Sequence, residues 1–289
     1  MPAIGYEVSG FGGRPIELFE FIRTSNGVDY FWRYNGSDRN VWYNDVEWKA
    51  IPIRHEAIRL SSEAQSTTLA ITMPIDEEFC QQFRFFGTLP SDSVWLRLRR
   101  AHVGDMSDVD GMTPTVSDAL ITWIGTVNGI TQLDEVEAKV TCAMLAASFQ
   151  RGGLRYGYQR NCPHVLYAAN TCKVNRESFR INSVVTAISG LAIIGADFAS
   201  EPDGWFAGGF VEYNIPSGMM ERRMIVSHVG TQLTVVGIPA GLEVGDLISG
   251  FAGCDRIVDT CVNKFNNLGN FGGFPHTPGR NPFDGQPVF

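Results

Sequence analysis

The sequence predicts a mainly β protein. Three observations carry this: short apolar stretches alternating in period two recur through both halves, Gly, Pro, Asn and Asp punctuate them closely, and only short stretches carry helix signals. At 289 residues the chain has room for one large domain or two smaller ones. With 44% hydrophobic and 19% charged residues it has the composition of a folded protein rather than a disordered one.

Residues 14–23 read as a strand, Ser25 to Gly27 as a hairpin turn and Val28 to Tyr34 as the partner strand. Turn residues at 35–38 and at Asn44-Asp45 then separate Val41 to Tyr43 from Val46 to Ile51. Leu69 to Met73 and Val94 to Arg100 alternate, placing Val94, Leu96 and Leu98 on one face and Trp95, Arg97 and Arg99 on the other. Asp76 to Phe86 is a helix candidate, with Pro74 before it, acids in its first turn and Gly87 after it. An acidic, Gly-containing loop is expected over 105–115, followed by strands over Leu120 to Gly129 and Glu137 to Cys142. The first unit is expected to end near residues 148–153, which divides the chain into 1–150 and 151–289.

The second unit repeats the theme. Strands are expected over Ile181 to Thr186, Leu191 to Ile194, Trp205 to Tyr213, Met219 to Val226, Gln232 to Val236 and Leu247 to Phe251, the pattern of a β-barrel or sandwich. Residues 281–289 read as an extended tail.

Charge and hydropathy narrow the function. A net charge of −8 argues against a general nucleic-acid or anionic-membrane surface, since phosphate binding needs a positive field. The N-terminus lacks the basic lead and apolar run of a signal peptide, and the longest apolar stretch, Val184 to Ile194, is too short to span a bilayer. No membrane anchor is expected.

Four of the six cysteines fall into two local pairs: Cys162 and Cys172 with nine residues between them, and Cys254 and Cys261 with six. In a reducing cytoplasm such cysteines serve better as thiolates on a metal than as disulfides. Ile257, Cys261 and Phe265 fall at i, i+4 and i+8, and Cys254 and Cys261 are about two turns apart, so a helix throughout would aim both sulfurs one way. Thiolates select iron–sulfur clusters or zinc. Structural zinc hooks carry about two to four intervening residues, so these longer spacings favour a [4Fe–4S] cluster, with zinc the alternative. His164 and His276 are substitute ligands, although a histidine beside proline more often makes a structural hydrogen bond. Cys80 and Cys142 read as buried apolar residues.

Several stretches carry a resemblance. Cys162-Pro163-His164, Cys172, Gly253-Cys254-Asp255, Cys261, Lys264 to Asn267 and Asn270 to His276 resemble the phage tail-tip hub family with an iron–sulfur-binding C-terminal domain. Residues 15–21 and 53–74 are similar to its opening, so the likeness spans nearly the whole chain. The family includes hub proteins of gene transfer agents and transposable siphophages, with tail-tip protein L of lambda-like phages a distant relative. The resemblance implies tandem tail-tube-like β-barrels and a homotrimeric baseplate hub in the virion tail tip. Such a hub would join the tail tube and distal tail protein to the central fibre or receptor-binding assembly, with DNA passing without sequence-specific binding. It carries cluster ligation onto Cys162, Cys172, Cys254 and Cys261, in a structural and non-enzymatic role. The rival reading is an enzyme: an iron–sulfur oxidoreductase, or a thiol hydrolase using Cys254 with His276 and a nearby Asp. That hydrolase would leave the other three cysteines unexplained.

Overall fold

The computed structural model of the protein describes residues 15–58, 68–83, 89–102, 115–116, 118–146 and 157–277. The chain divides into two compact units, 1–151 and 152–289. The expected loop over 105–114, the boundary at 148–153 and the tail over 281–289 lie outside the described residues. Among the described residues, no helix is long and apolar enough to cross a membrane.

Among its described residues, the N-terminal unit is a ten-stranded sheet. Its strands are β1 (Pro15–Ser25), β2 (Val28–Asn35), β3 (Val41–Tyr43), β4 (Val46–Ala50), β5 (Arg54–His55), β6 (Thr68–Pro74), β7 (Val94–His102), β8 (Thr115–Val116), β9 (Ala119–Gln132) and β10 (Glu137–Met144). Their order is β5-β6-β10-β9-β7-β1-β2-β4-β3-β8. Asn26 and Gly27, with φ of 50° and 79°, form the tight turn that pairs Ser25 with Val28, as the Asn-Gly dipeptide predicts. Asn44 and Asp45, at 51° and 58°, close the β3–β4 hairpin in the same way. The alternation read in β7 is the alternation of burial: Val94, Leu96 and Leu98 lie inside, and Phe21, in register with Leu96 on β1, stacks on Phe79 with ring centroids 3.9 Å apart.

Two expectations need correction here. Among the described residues the unit's ladder is an open sheet rather than the expected barrel: β4 joins β2 in parallel, β8 joins β3 in parallel, and no ladder closes the ring. These added strands bring Val41, Trp48 and Val116 over Ile16 and Leu18 and cover that face instead. The helix expected over 76–86 is, within the described residues, the single turn α1 (Glu78–Gln81), followed by hydrogen-bonded turns to Phe83.

The C-terminal unit contains a closed barrel. Its strands are β11 (Arg180–Ser189), β12 (Ala192–Gly195), β13 (Phe210–Asn214), β14 (Met220–Val229), β15 (Gln232–Val235) and β16 (Leu247–Phe251), in ring order β11-β12-β15-β14-β13-β16. Every pairing is antiparallel. Val185, Ile193, Val211, Ile225, Leu233, Val235 and Ile248 point inward with Phe198 and Phe206, all essentially buried. Each such side chain contributes about 1.5–3 kcal/mol. Gly250 is required by this packing, since a Cβ there would stand 2.8 Å from the Phe198 ring.

The strand expected over Trp205 to Tyr213 is shorter than its apolar content suggests. Gly204 and Gly208 adopt φ of 81° and 80°, and the amides of Ala207 and Gly209 bond back to Gly204 and Phe206, so this stretch is turns and only β13 is extended.

Candidate metal centre

At one end of the barrel, β16 runs out through Ala252 and Gly253 into Cys254, and α2 (Val258–Asn263) follows. The helix expected to carry both cysteines holds only Cys261. Arg256 has φ of 66°, which a right-handed helix does not admit, and Asp255 Oδ1 accepts from the Ile257 amide at 3.0 Å while its Oδ2 accepts from Thr260 at 2.8 Å. This side-chain turn competes with helix and delays its start.

Cys162 and Cys172 lie in a loop before the barrel, and backbone anchors bring it to the same place. The Cys162 amide donates to the Arg256 carbonyl at 2.9 Å. Tyr167, itself at φ of 63°, donates its hydroxyl to the Ala252 carbonyl at 2.6 Å and sits edge-on to Phe210, Phe251 and Phe265. Burial and nearby Cys172 and Cys254 push its pKa up, so it stays a neutral donor. Lys264 ties the far side, its Nζ donating to the Gly253 carbonyl at 2.8 Å and to the Trp205 carbonyl while lying 4.3 Å from the Trp205 ring centre. Burial lowers its pKa to about 8.

All four cysteines, Cys162, Cys172, Cys254 and Cys261, line one cavity of about 60 Å³. All are free thiols, not disulfides. Their environments couple: burial first, then the nearness of the other three sulfurs, pushes Cys261 up to about 11, and burial with Asp255, Cys172 and Cys162 raises Cys254 against a lowering bond from the Arg256 amide. Among the described residues, no three His, Cys, Asp or Glu side chains stand close enough to hold a single metal ion.

Polar donors converge on the sulfurs. The Arg256 amide lies 3.3 Å from Cys254 Sγ, the Gly272 amide 3.4 Å from Cys162 Sγ, and Asn267 Nδ2 3.9 Å from Cys172 Sγ. Cys261 is the exception, donating its own proton to the Asn267 carbonyl at 3.3 Å, a bond that ligation would replace. Four thiols around a void, three of them facing N–H groups, suit a group that binds anionic sulfur.

Of the histidines, His164 lines the cavity and hydrogen-bonds the Asn270 carbonyl through Nδ1 at 3.0 Å, whereas His276 is exposed and does not line it. Cys80 and Cys142 are buried in the N-terminal unit, where burial pushes Cys142 up to about 12. The roles of Tyr167 and Asn267 escaped the sequence reading. Only the Asn266-Asn267 pair just beyond the helix signalled one of them.

Residues 204–281 match the family described as "Phage conserved hypothetical protein BR0599". An uncharacterized protein of Xylella fastidiosa (strain 9a5c) is 30% identical over 199 residues, which is 64% of this chain. The match covers 38% of that relative's own length. In fold, the chain is similar to a solved chain described as "Virion of native gene transfer agent (GTA) particle", with a TM-score of 0.73 over 99% of both chains and 16% sequence identity.

Proposed function

We propose that this chain is a structural, non-enzymatic component of a phage-type virion, the hub of a tail tip. It acts as a homotrimer that joins the tail tube and distal tail protein above to the central fibre or receptor-binding proteins below, around a passage for DNA. The observation that carries this reading is the fold likeness to a gene transfer agent virion chain over 99% of both chains, which leaves no large part of either without a counterpart. The match of residues 204–281 to a phage family supports it, and that stretch contains Cys254 and Cys261.

The same reading assigns the four-thiol cavity to a [4Fe–4S] cluster held by Cys162, Cys172, Cys254 and Cys261. When bound, such a cluster supplies four iron–thiolate bonds. Two features favour it over zinc. The donors are four thiols without a carboxylate, and they surround a void rather than closing on one point, which suits a polynuclear core better than a single ion. The residues then do mechanical work: Cys162 and Cys172 hold the loop before the barrel and Cys254 and Cys261 the segment after it, so one bound group clamps together the chain entering and leaving the barrel.

Electron cryomicroscopy of particles containing this protein tests both halves. The expected map has three copies just below the tail tube and strong density between the four sulfurs. A map placing the chain in the capsid removes the hub, and four sulfurs with no density among them removes the cluster.

A further inference from the structure

The segment after α2 makes contacts that barrel closure does not require. Asn266, at φ of 47°, ends the helix in the left-handed conformation, its amide bonded to the Val262 carbonyl at 3.0 Å. Asn267 is thereby delivered into the cysteine cavity, which it lines. Its amide donates to the Cys261 carbonyl at 2.9 Å and its own carbonyl accepts from Cys261 Sγ. Its Nδ2 donates to the Cys172 carbonyl at 2.6 Å and faces Cys172 Sγ, and its Oδ1 accepts from Asn270 Nδ2 at 2.7 Å. One residue thus holds a cysteine from each pair, Cys261 through its backbone and Cys172 through its side chain.

The chain of contacts continues to a third cysteine. The Asn270 carbonyl accepts from His164 Nδ1, and the His164 ring packs so closely on Gly272 that a Cβ there would overlap it. That packing presents the Gly272 amide to Cys162 Sγ. Gly273 presses on the backbone of Arg160 and Asn161, and the Phe274 amide donates to the Gln159 carbonyl at 2.8 Å, so residues 267–274 lie as a strap across the Cys162 loop.

We infer that Asn267 is the positioning residue of the four-thiol centre and that the 267–274 strap, held by His164, is its clasp, setting both how firmly the cluster is retained and its reduction potential. This rests on the cluster reading above. The physical reason is the donor type: a carboxamide N–H and a backbone N–H stabilise anionic sulfur without adding charge, and hydrogen bonds to cluster sulfurs tune potential. A residue that merely ended the helix would influence neither.

The test uses the full chain purified without oxygen, with iron loss to a chelator and reduction potential followed by electron paramagnetic resonance. Asn267→Ala is expected to lose iron about 10- to 100-fold faster than the parent protein. Its potential should fall, and Asn267→Asp should lower it further, because the donor is replaced by a negative charge. His164→Ala should also lose iron faster, with His164→Asn, which restores a donor near Nδ1, recovering most of the retention; this pair carries the test if the Asn267 variants do not fold. Iron-loaded parent protein with Asn267→Ala unchanged in both readouts, or no difference between His164→Ala and His164→Asn, overturns the inference alone. A parent protein that holds no iron overturns the cluster reading, and the inference with it.

Discussion

Both ring nitrogens of His55 face acceptors, Glu17 Oε1 at 2.8 Å and the Glu56 carbonyl, an arrangement that suits an imidazolium. The bond to Glu17, working against burial, raises the His55 pKa above 6.5. Glu17 is held below 4.5: burial opposes this, but the hydrogen bond and charge of His55 and the charge of Arg100 outweigh it. The signs define a window. The histidine contribution is complete below its unfolded pKa and fades as pH rises through the folded one, while the carboxylate contribution is complete above its unfolded pKa and fades as pH falls through the folded one. Between about pH 4.5 and 6.5 both act. His55→Gln is therefore expected to flatten the fall in stability from pH 6 to 8, measured by urea unfolding; a parent protein with no such fall would disprove the assignment. Asn267 belongs to this scale too, and shows what the sequence hides: its role comes from the left-handed turn at Asn266 that aims it, which no spacing rule encodes.

Among the elements, legibility followed from how the local code is written. The β7 strand was readable because alternation and burial are the same fact there, and the β1–β2 turn because Asn-Gly supplies the positive φ that the hairpin needs. The Trp205 to Tyr213 stretch misled because its apolar residues pack from turns, Phe206 being buried without strand geometry. In the cysteine segment, Asp255 and Arg256 outweighed helical spacing. Where β16 passes Phe198, the packing yields a test: Gly250→Val should destabilise the barrel by about 1–3 kcal/mol through overpacking. Thermal unfolding that leaves Gly250→Val equal to the parent would contradict the packing described.

For the whole molecule, the mainly β character was legible from patterning, whereas the difference between an extended sheet and a closed ring was not, because closure depends on which distant strands pair. The four cysteines, two local pairs in the sequence, line one cavity. What brings them together, Tyr167 on the barrel end and the strap across Cys162, is a matter of tertiary contact. Because the two units carry separate cores, removing the cluster proposed above should act on one of them. Hydrogen exchange on full-length protein treated with an iron chelator is expected to show faster exchange in 157–277 with residues 15–146 little changed. Uniform change across both would count against a centre confined to the C-terminal unit.

The ring of β11 to β16 has a consequence for assembly. Every strand in it already has two neighbours, so it offers no strand edge to another chain, and another molecule would meet it through side chains and loops. In the ten-stranded sheet, by contrast, the outermost strands β5 and β8 each have one neighbour among the described residues.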